Sequence, residues 1–129
     1  MNCYCGNNKT YNDCCEVFHL NQGKTETAEQ LMRSRYSAFV IANGDYLMQT
    51  HHSSSRPTSE KEAIIQWAQS VDWIKLEIIN TTKGLKNDNE GTVTFNAYFY
   101  ENGNVEIIHE NSAFIKENKT WYYLGYAKN

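Results

Sequence analysis

Thr92-Val93-Thr94-Phe95-Asn96-Ala97-Tyr98-Phe99-Tyr100-Glu101 carries the plainest structural signal in the chain. Val93, Phe95, Ala97 and Phe99 occupy every second position. A period of two marks a strand with one buried face, because successive side chains point to opposite sides of the pleat. Asn102-Gly103 follows at once, and that pair accepts the positive φ angles of a tight hairpin turn. A partner strand is therefore expected over Val105 to Lys116, and Glu117-Asn118-Lys119 turns it into a further strand over Thr120 to Tyr126. Upstream, Trp73 to Thr82 reads as the first strand, set off by a polar turn region from Gly84 to Gly91. Four strands joined by turns form an antiparallel meander.

The third strand has two candidate inner faces. Val105, Ile107, Ala113 and Ile115 share one with His109, while Glu110, Ser112 and Phe114 lie on the other. Counting apolar residues favours the first face as the inner one, but the sequence shows no bulge that would reconcile the two, and the choice between them stays open.

Before the meander the period changes to that of helices. Thr27-x-x-Gln30 has the form of a capping box and starts a helix running to about Asn43. Gly44 is expected to supply its left-handed cap, with Glu29 and Arg33 turned to solvent. Asp45 to Thr50 reads as a short second helix and His51 to Pro57 as a polar loop. Ser59-x-x-Glu62 suggests a second capping box, opening a third helix to about Val71 with Ala63, Ile64, Trp67, Ala68 and Val71 inward. Helices first and strands after them imply an α+β fold, a curved antiparallel sheet packed on three helices.

The chain's 129 residues suit one domain with a small appendage. A net charge of −3 argues against a strong field for nucleic acid. Ala38 to Ala42, the longest apolar stretch, is far too short to cross a bilayer. The polar N-terminus shows no apolar signal segment, so a soluble, cytoplasmic protein is expected. Aromatic residues make up 13%, which suits either a lined cavity or an ordinary core.

All four cysteines lie in one short run, Cys3-Tyr4-Cys5-Gly6-Asn7-Asn8-Lys9-Thr10-Tyr11-Asn12-Asp13-Cys14-Cys15. A disulfide knot would need an oxidising compartment, and a Cys-x-x-Cys redox pair is absent. Four thiolates around a turn suit tetrahedral zinc, with Gly6 freeing the backbone to make that turn. Cys3, Cys5, Cys14 and Cys15 are the expected ligands of a structural zinc. His19 is then left as a packing or surface residue. The division expected is a knuckle over 1–19, a connector over 20–26 and the main domain over 27–129.

The cysteine run resembles the SEC-C zinc knuckle, which also ends the SecA translocase. It matches at Cys3, Cys5, Gly6, Lys9, Tyr11, Cys14 and Cys15, and departs at Tyr4, Asn7 and Asn8. Leu31-Met32-Arg33-Ser34-Arg35-Tyr36-Ser37-Ala38-Phe39, then Glu110-x-Ser112-x-Phe114 and Trp121-Tyr122-Tyr123, resemble signatures of the YchJ family. That family's Trp-His-Pro-Ser-Thr-Arg loop appears here as His51-His52-Ser53-Ser54-Ser55-Arg56. The resemblance implies a cone of the nuclear-transport-factor-2 type, shared by ketosteroid isomerase and scytalone dehydratase. Many relatives carry a second knuckle after the sheet, and a binding mode that needs two is not expected here.

Such a cone implies a cavity between helices and sheet. Arg35, Tyr36, His52, Arg56, Trp67, Glu110 and Trp121 are the candidates to line it, with Glu110 or His52 as a catalytic base. Glu110 and Arg35 equally suit a structural ion pair, His52 a solvated loop, and the two tryptophans the core. Two function classes follow. The favoured one is a bacterial binding or adaptor module, its knuckle docking a protein partner and its cone holding a small ligand or a dimer mate. The alternative is a cone-fold enzyme doing isomerase- or dehydratase-like acid–base chemistry on a small molecule.

Overall fold

A computed structural model describes residues 1–127. A 3-10 turn (Tyr11–Asp13) and the one-turn helix α1 (Cys15–His19) belong to the cysteine run. Helices α2 (Ala28–Val40), α3 (Gly44–Thr50) and α4 (Lys61–Ser70) follow, then strands β1 (Asp72–Lys83), β2 (Glu90–Glu101), β3 (Asn104–Glu117) and β4 (Thr120–Tyr126). The strands form one antiparallel sheet in the order β1-β2-β3-β4. The expected α+β architecture, a meander packed on three helices, is the one observed.

The turns obey local chemistry. Asn102 and Gly103 both have positive φ, 54° and 83°, as a two-residue hairpin between Glu101 and Asn104 requires. Asn118 and Lys119 repeat the geometry at 52° and 66° without a glycine. Register shifts in β1 fall between Trp73 and Lys75 and between Ile78 and Asn80. Each inserts one residue, Ile74 and Ile79, and both are half exposed. The insertions let Trp73, Leu76 and Ile78 all face inward and bend the strand around the helices.

The core lies between the sheet and α2. Leu31, Val93, Phe114 and Trp121 are almost completely buried there. Thr27 caps α2 by accepting from the Gln30 amide at 3.1 Å, and the Gln30 side chain accepts from the Glu26 amide. Trp121 satisfies its buried indole by donating to the Glu26 carbonyl, tying β4 to the start of α2.

Four local expectations are corrected. Gly44 does not end the first helix. Ala42 takes the left-handed angle, φ 57°, and Gly44 begins α3. A Cβ on Gly44 would lie 2.4 Å from the Ile65 side chain, so the glycine permits close packing of α3 on α4. Ser59 forms no capping box: a 3-10 turn (Thr58–Glu60) precedes α4, whose cap is Glu60 with no side-chain bond. Ala63 is exposed, whereas Ala68 and Val71 are buried. Arg33 points to the knuckle and not to open solvent.

The third strand also reverses the apolar count. Val105 and Ile107 are more than half exposed, while Ser112 and Phe114 are fully buried. Register explains this. Val93 pairs with Ser112 and Phe95 with Glu110, so the odd face of β2 continues onto the even face of β3.

Candidate metal centre and cavity

The four cysteine sulfurs lie within 4.8 Å of one another. Sγ of Cys5 is 3.7 Å from that of Cys14, and Cys14 is 4.0 Å from Cys15. A zinc ion with Zn–S bonds of about 2.3 Å sets the sulfur–sulfur edge of its tetrahedron at roughly 3.8 Å. The observed spacings fit that edge and are far longer than a disulfide bond. The hydrogen bond from Cys15 draws Cys5 down to about 5, and the same shared proton pushes Cys15 up. A thiolate set among thiols suits a divalent cation, which takes the place of the remaining protons.

The backbone closes the knuckle through the Gly6 amide to the Cys3 carbonyl, 3.1 Å, with Gly6 at φ 94°. The knuckle is then fastened to α2. Arg33 Nη1 donates to the Cys5 carbonyl at 2.6 Å while its Nε pairs with Glu29. His19 Nε2 donates to the Ser34 carbonyl at 2.8 Å. That leaves Nδ1 to accept from the Tyr11 hydroxyl at 2.7 Å, so the ring is held as one neutral tautomer. His19 is thus a packing residue. Burial lowers its pKa further.

A cavity of about 130 Å³ lies between α2, α4 and the sheet. Tyr36, Phe39, Trp67, Trp73 and Phe95 make its aromatic wall. Arg35, Glu110, Ser112 and Tyr123 make its polar end. Arg35, 6% exposed, donates through Nη1 to the Leu47 carbonyl (2.9 Å) and the Thr50 hydroxyl (2.7 Å). Its guanidinium stacks over the Tyr123 ring, 4.5 Å from the centroid. Burial lowers it to about 10, so it keeps its charge at neutral pH. Glu110 Oε2 accepts from the Ser112 hydroxyl and from the Tyr123 hydroxyl at 3.0 Å. Burial, then the neighbouring Glu110, pushes Tyr123 upward, so its hydroxyl stays protonated as a donor. Among the described residues, Arg35 and Glu110 form no direct ion pair, and the Tyr123 side chain lies between them instead.

Of the residues picked out in sequence, Arg35, Tyr36, Trp67 and Glu110 line this cavity. His52, Arg56 and Trp121 do not. His52 bonds Ser54 and Glu117 at the surface. Arg56 donates to the His51 carbonyl. Trp121 is core. The lining residues not foreseen are Met32, Phe39, Trp73, Phe95, Ala97, Ile108, Ser112 and Tyr123. Alternation on β2 pointed to Phe95 and Ala97, but only the β2–β3 register adds Ile108 and Ser112. Among the described residues no helix is long and apolar enough to cross a membrane.

Fold and site define a class: a helix-backed antiparallel meander with a four-cysteine knuckle fastened to its first long helix. Residues 27–125 match the family described as YchJ, middle NTF2-like domain. A UPF0225 protein of Vibrio parahaemolyticus is 48% identical over 122 residues, which span 95% of this chain and 72% of that protein. A UPF0225 protein of Vibrio cholerae is 42% identical over 124 residues, 96% of this chain and 81% of the relative. The solution structure of a SEC-C motif containing protein from Rhodopseudomonas palustris superposes with a TM-score of 0.88 at 32% identity, covering 100% of both chains. A crystal structure of a SEC-C motif containing protein from Psychrobacter arcticus gives 0.83 at 29% identity, covering 98% of this chain and 83% of that one. The chain belongs to the YchJ family.

Proposed function

We propose that this protein is a zinc-bearing binding module, with a knuckle that docks a protein partner and a cavity that holds a small molecule. The cavity carries the reading. Its aromatic wall closes on one polar end, the usual make-up of a small-ligand site. Its volume is on the order of four or five waters, and a cavity near this size accepts a single six-membered ring. Zinc is supported by the sulfur spacings and by the SEC-C motif of the two structural relatives. Tyr4, Asn8, Lys9 and Thr10 on the outer side of the knuckle are exposed and offer the partner surface. Native mass spectrometry is the test. One zinc per chain, released on unfolding, together with a small-molecule adduct supports the module. Apoprotein with two disulfides overturns the metal reading.

One observation favours an enzyme instead: the Glu110 carboxylate lines an aromatic cavity. Solvent-deuterium exchange at the α-carbon of a cavity-sized ketone, cyclopentanone, separates the readings. Exchange that is lost in Glu110→Gln at unchanged thermal stability supports acid–base catalysis. The binding module predicts no catalysed exchange in either protein.

A further inference from the structure

The polar end of the cavity holds hydrogen-bonding capacity that the fold does not use. Arg35 spends Nη1 on Leu47 and Thr50. Among the described residues, its Nε and Nη2 donate to no acceptor. Glu110 spends Oε2 on Ser112 and Tyr123, and among the described residues its Oε1 accepts nothing. No side-chain polar atom among the described residues is both fully buried and unpartnered. The free groups of Arg35 and Glu110 therefore keep access to the cavity that both residues line. A ligand that enters the cavity strips water from both groups, so one that meets both is favoured over one that meets neither.

Charge narrows the choice. Arg35 brings one positive charge and Glu110 one negative charge to the same small space. A carboxylate ligand would satisfy Arg35 but face Glu110, and an ammonium would do the reverse. A hydrocarbon would leave both without partners. A neutral planar group with an acceptor beside a donor meets both and adds no net charge to desolvate. Tyr36, Phe39, Trp67, Trp73 and Phe95 offer ring faces and edges to the rest of such a molecule.

We infer that the cavity selects a neutral single-ring molecule bearing an amide-type edge, its carbonyl accepting from Arg35 and its N–H donating to Glu110. This rests on the small-ligand reading of the same cavity and names the ligand class.

The test uses three probes that share a ring and differ at one edge: benzamide, benzoate and toluene. Each is titrated into the zinc-loaded full chain. The indole N–H signals of the three tryptophans are followed by 15N-correlated NMR. Trp67 and Trp73 line the cavity, while Trp121 lies outside it and serves as the internal control. Benzamide is expected to shift Trp67 and Trp73 and leave Trp121 in place. It should bind about tenfold tighter than benzoate or toluene, the effect of one well-made hydrogen bond to a charged group. In Glu110→Gln the negative charge is gone, and the order of benzamide and benzoate should invert. Benzoate preferred by the wild-type chain, toluene equal to benzamide, or an order unchanged in Glu110→Gln overturns the amide assignment while the cavity remains a ligand site. No shift of Trp67 or Trp73 with any of the three overturns the small-ligand reading itself.

Discussion

The knuckle and the cone are held together by different physics within one chain. The knuckle's interior is its four cysteines, and among the described residues Tyr11 is the one partly buried hydrophobic side chain packed against them. So small a segment lacks the apolar area to fold alone, and a metal held by the four sulfurs would supply the missing stability. The cone has a continuous apolar core running from Leu31 through Val93 and Phe114 to Trp121. The two meet at α2, whose one side takes Arg33 and Ser34 to the knuckle and whose other side takes Met32, Arg35 and Tyr36 to the cavity. A four-cysteine knuckle and an aromatic cavity are thus built on opposite sides of one helix.

The largest effect should come from removing the metal. Cys5→Ser is expected to abolish zinc retention, with an apparent loss of about 10 kcal/mol for the knuckle's own folding. Amide signals of residues 1–19 should collapse while those of the cone persist. Melting of the cone in the same experiment would show that the two regions are one cooperative unit. Phe114→Ala attacks the other side of the contrast. Phe114 is 1% exposed, so the cavity it leaves should cost about 3–5 kcal/mol in a denaturant titration, with zinc still bound below the unfolding transition.

Arg33→Ala strikes the joint. It removes the bond to the Cys5 carbonyl and the pair with Glu29, and should cost about 1–2 kcal/mol. Zinc transfer to a competing chelator should quicken, whereas benzamide-sized probes should bind the cavity as before. Equal slowing or quickening at both sites would mean that α2 transmits strain between them.

The smallest effect is one of pH. Burial, then Arg35, Arg56 and His52, holds His51 at about 4, below its ordinary 6.5. The unfolded chain binds that proton near 6.5 and the folded chain does not. The stabilisation present above 6.5 is therefore lost as the pH falls towards 4. His51 is only partly buried, so screening by solvent limits the effect to about 1 kcal/mol or less. His51→Gln should flatten the fall of the urea midpoint between pH 7 and pH 5 and leave the pH of zinc release unchanged. A parallel shift in zinc release would place His51 in the knuckle's energetics as well.

Much of this molecule is legible along the chain because the signals are local. The Cys3–Cys15 spacing gathers four donors within one short turn-rich segment, and neighbours in sequence can reach one ion without help from elsewhere. Thr27 caps its helix by accepting from the Gln30 amide three residues on, and Asn102-Gly103 needs only its own φ angles. The alternation of β2 names its buried face from side-chain character alone. The failures are of another kind. Val105 and Ile107 look like core residues, yet the pairing of Val93 with Ser112 turns them outward. Gly44 looks like a helix stop, yet it is small because Ile65 of another helix crowds it. Arg35 and Glu110 look like an ion pair, yet Tyr123 from β4 inserts between them. In each case the deciding neighbour lies on a different element. Period and propensity specify which residues form a strand or a helix. Register and packing choose which face is buried and what surrounds a cavity, because those energies exist only once distant segments are in contact.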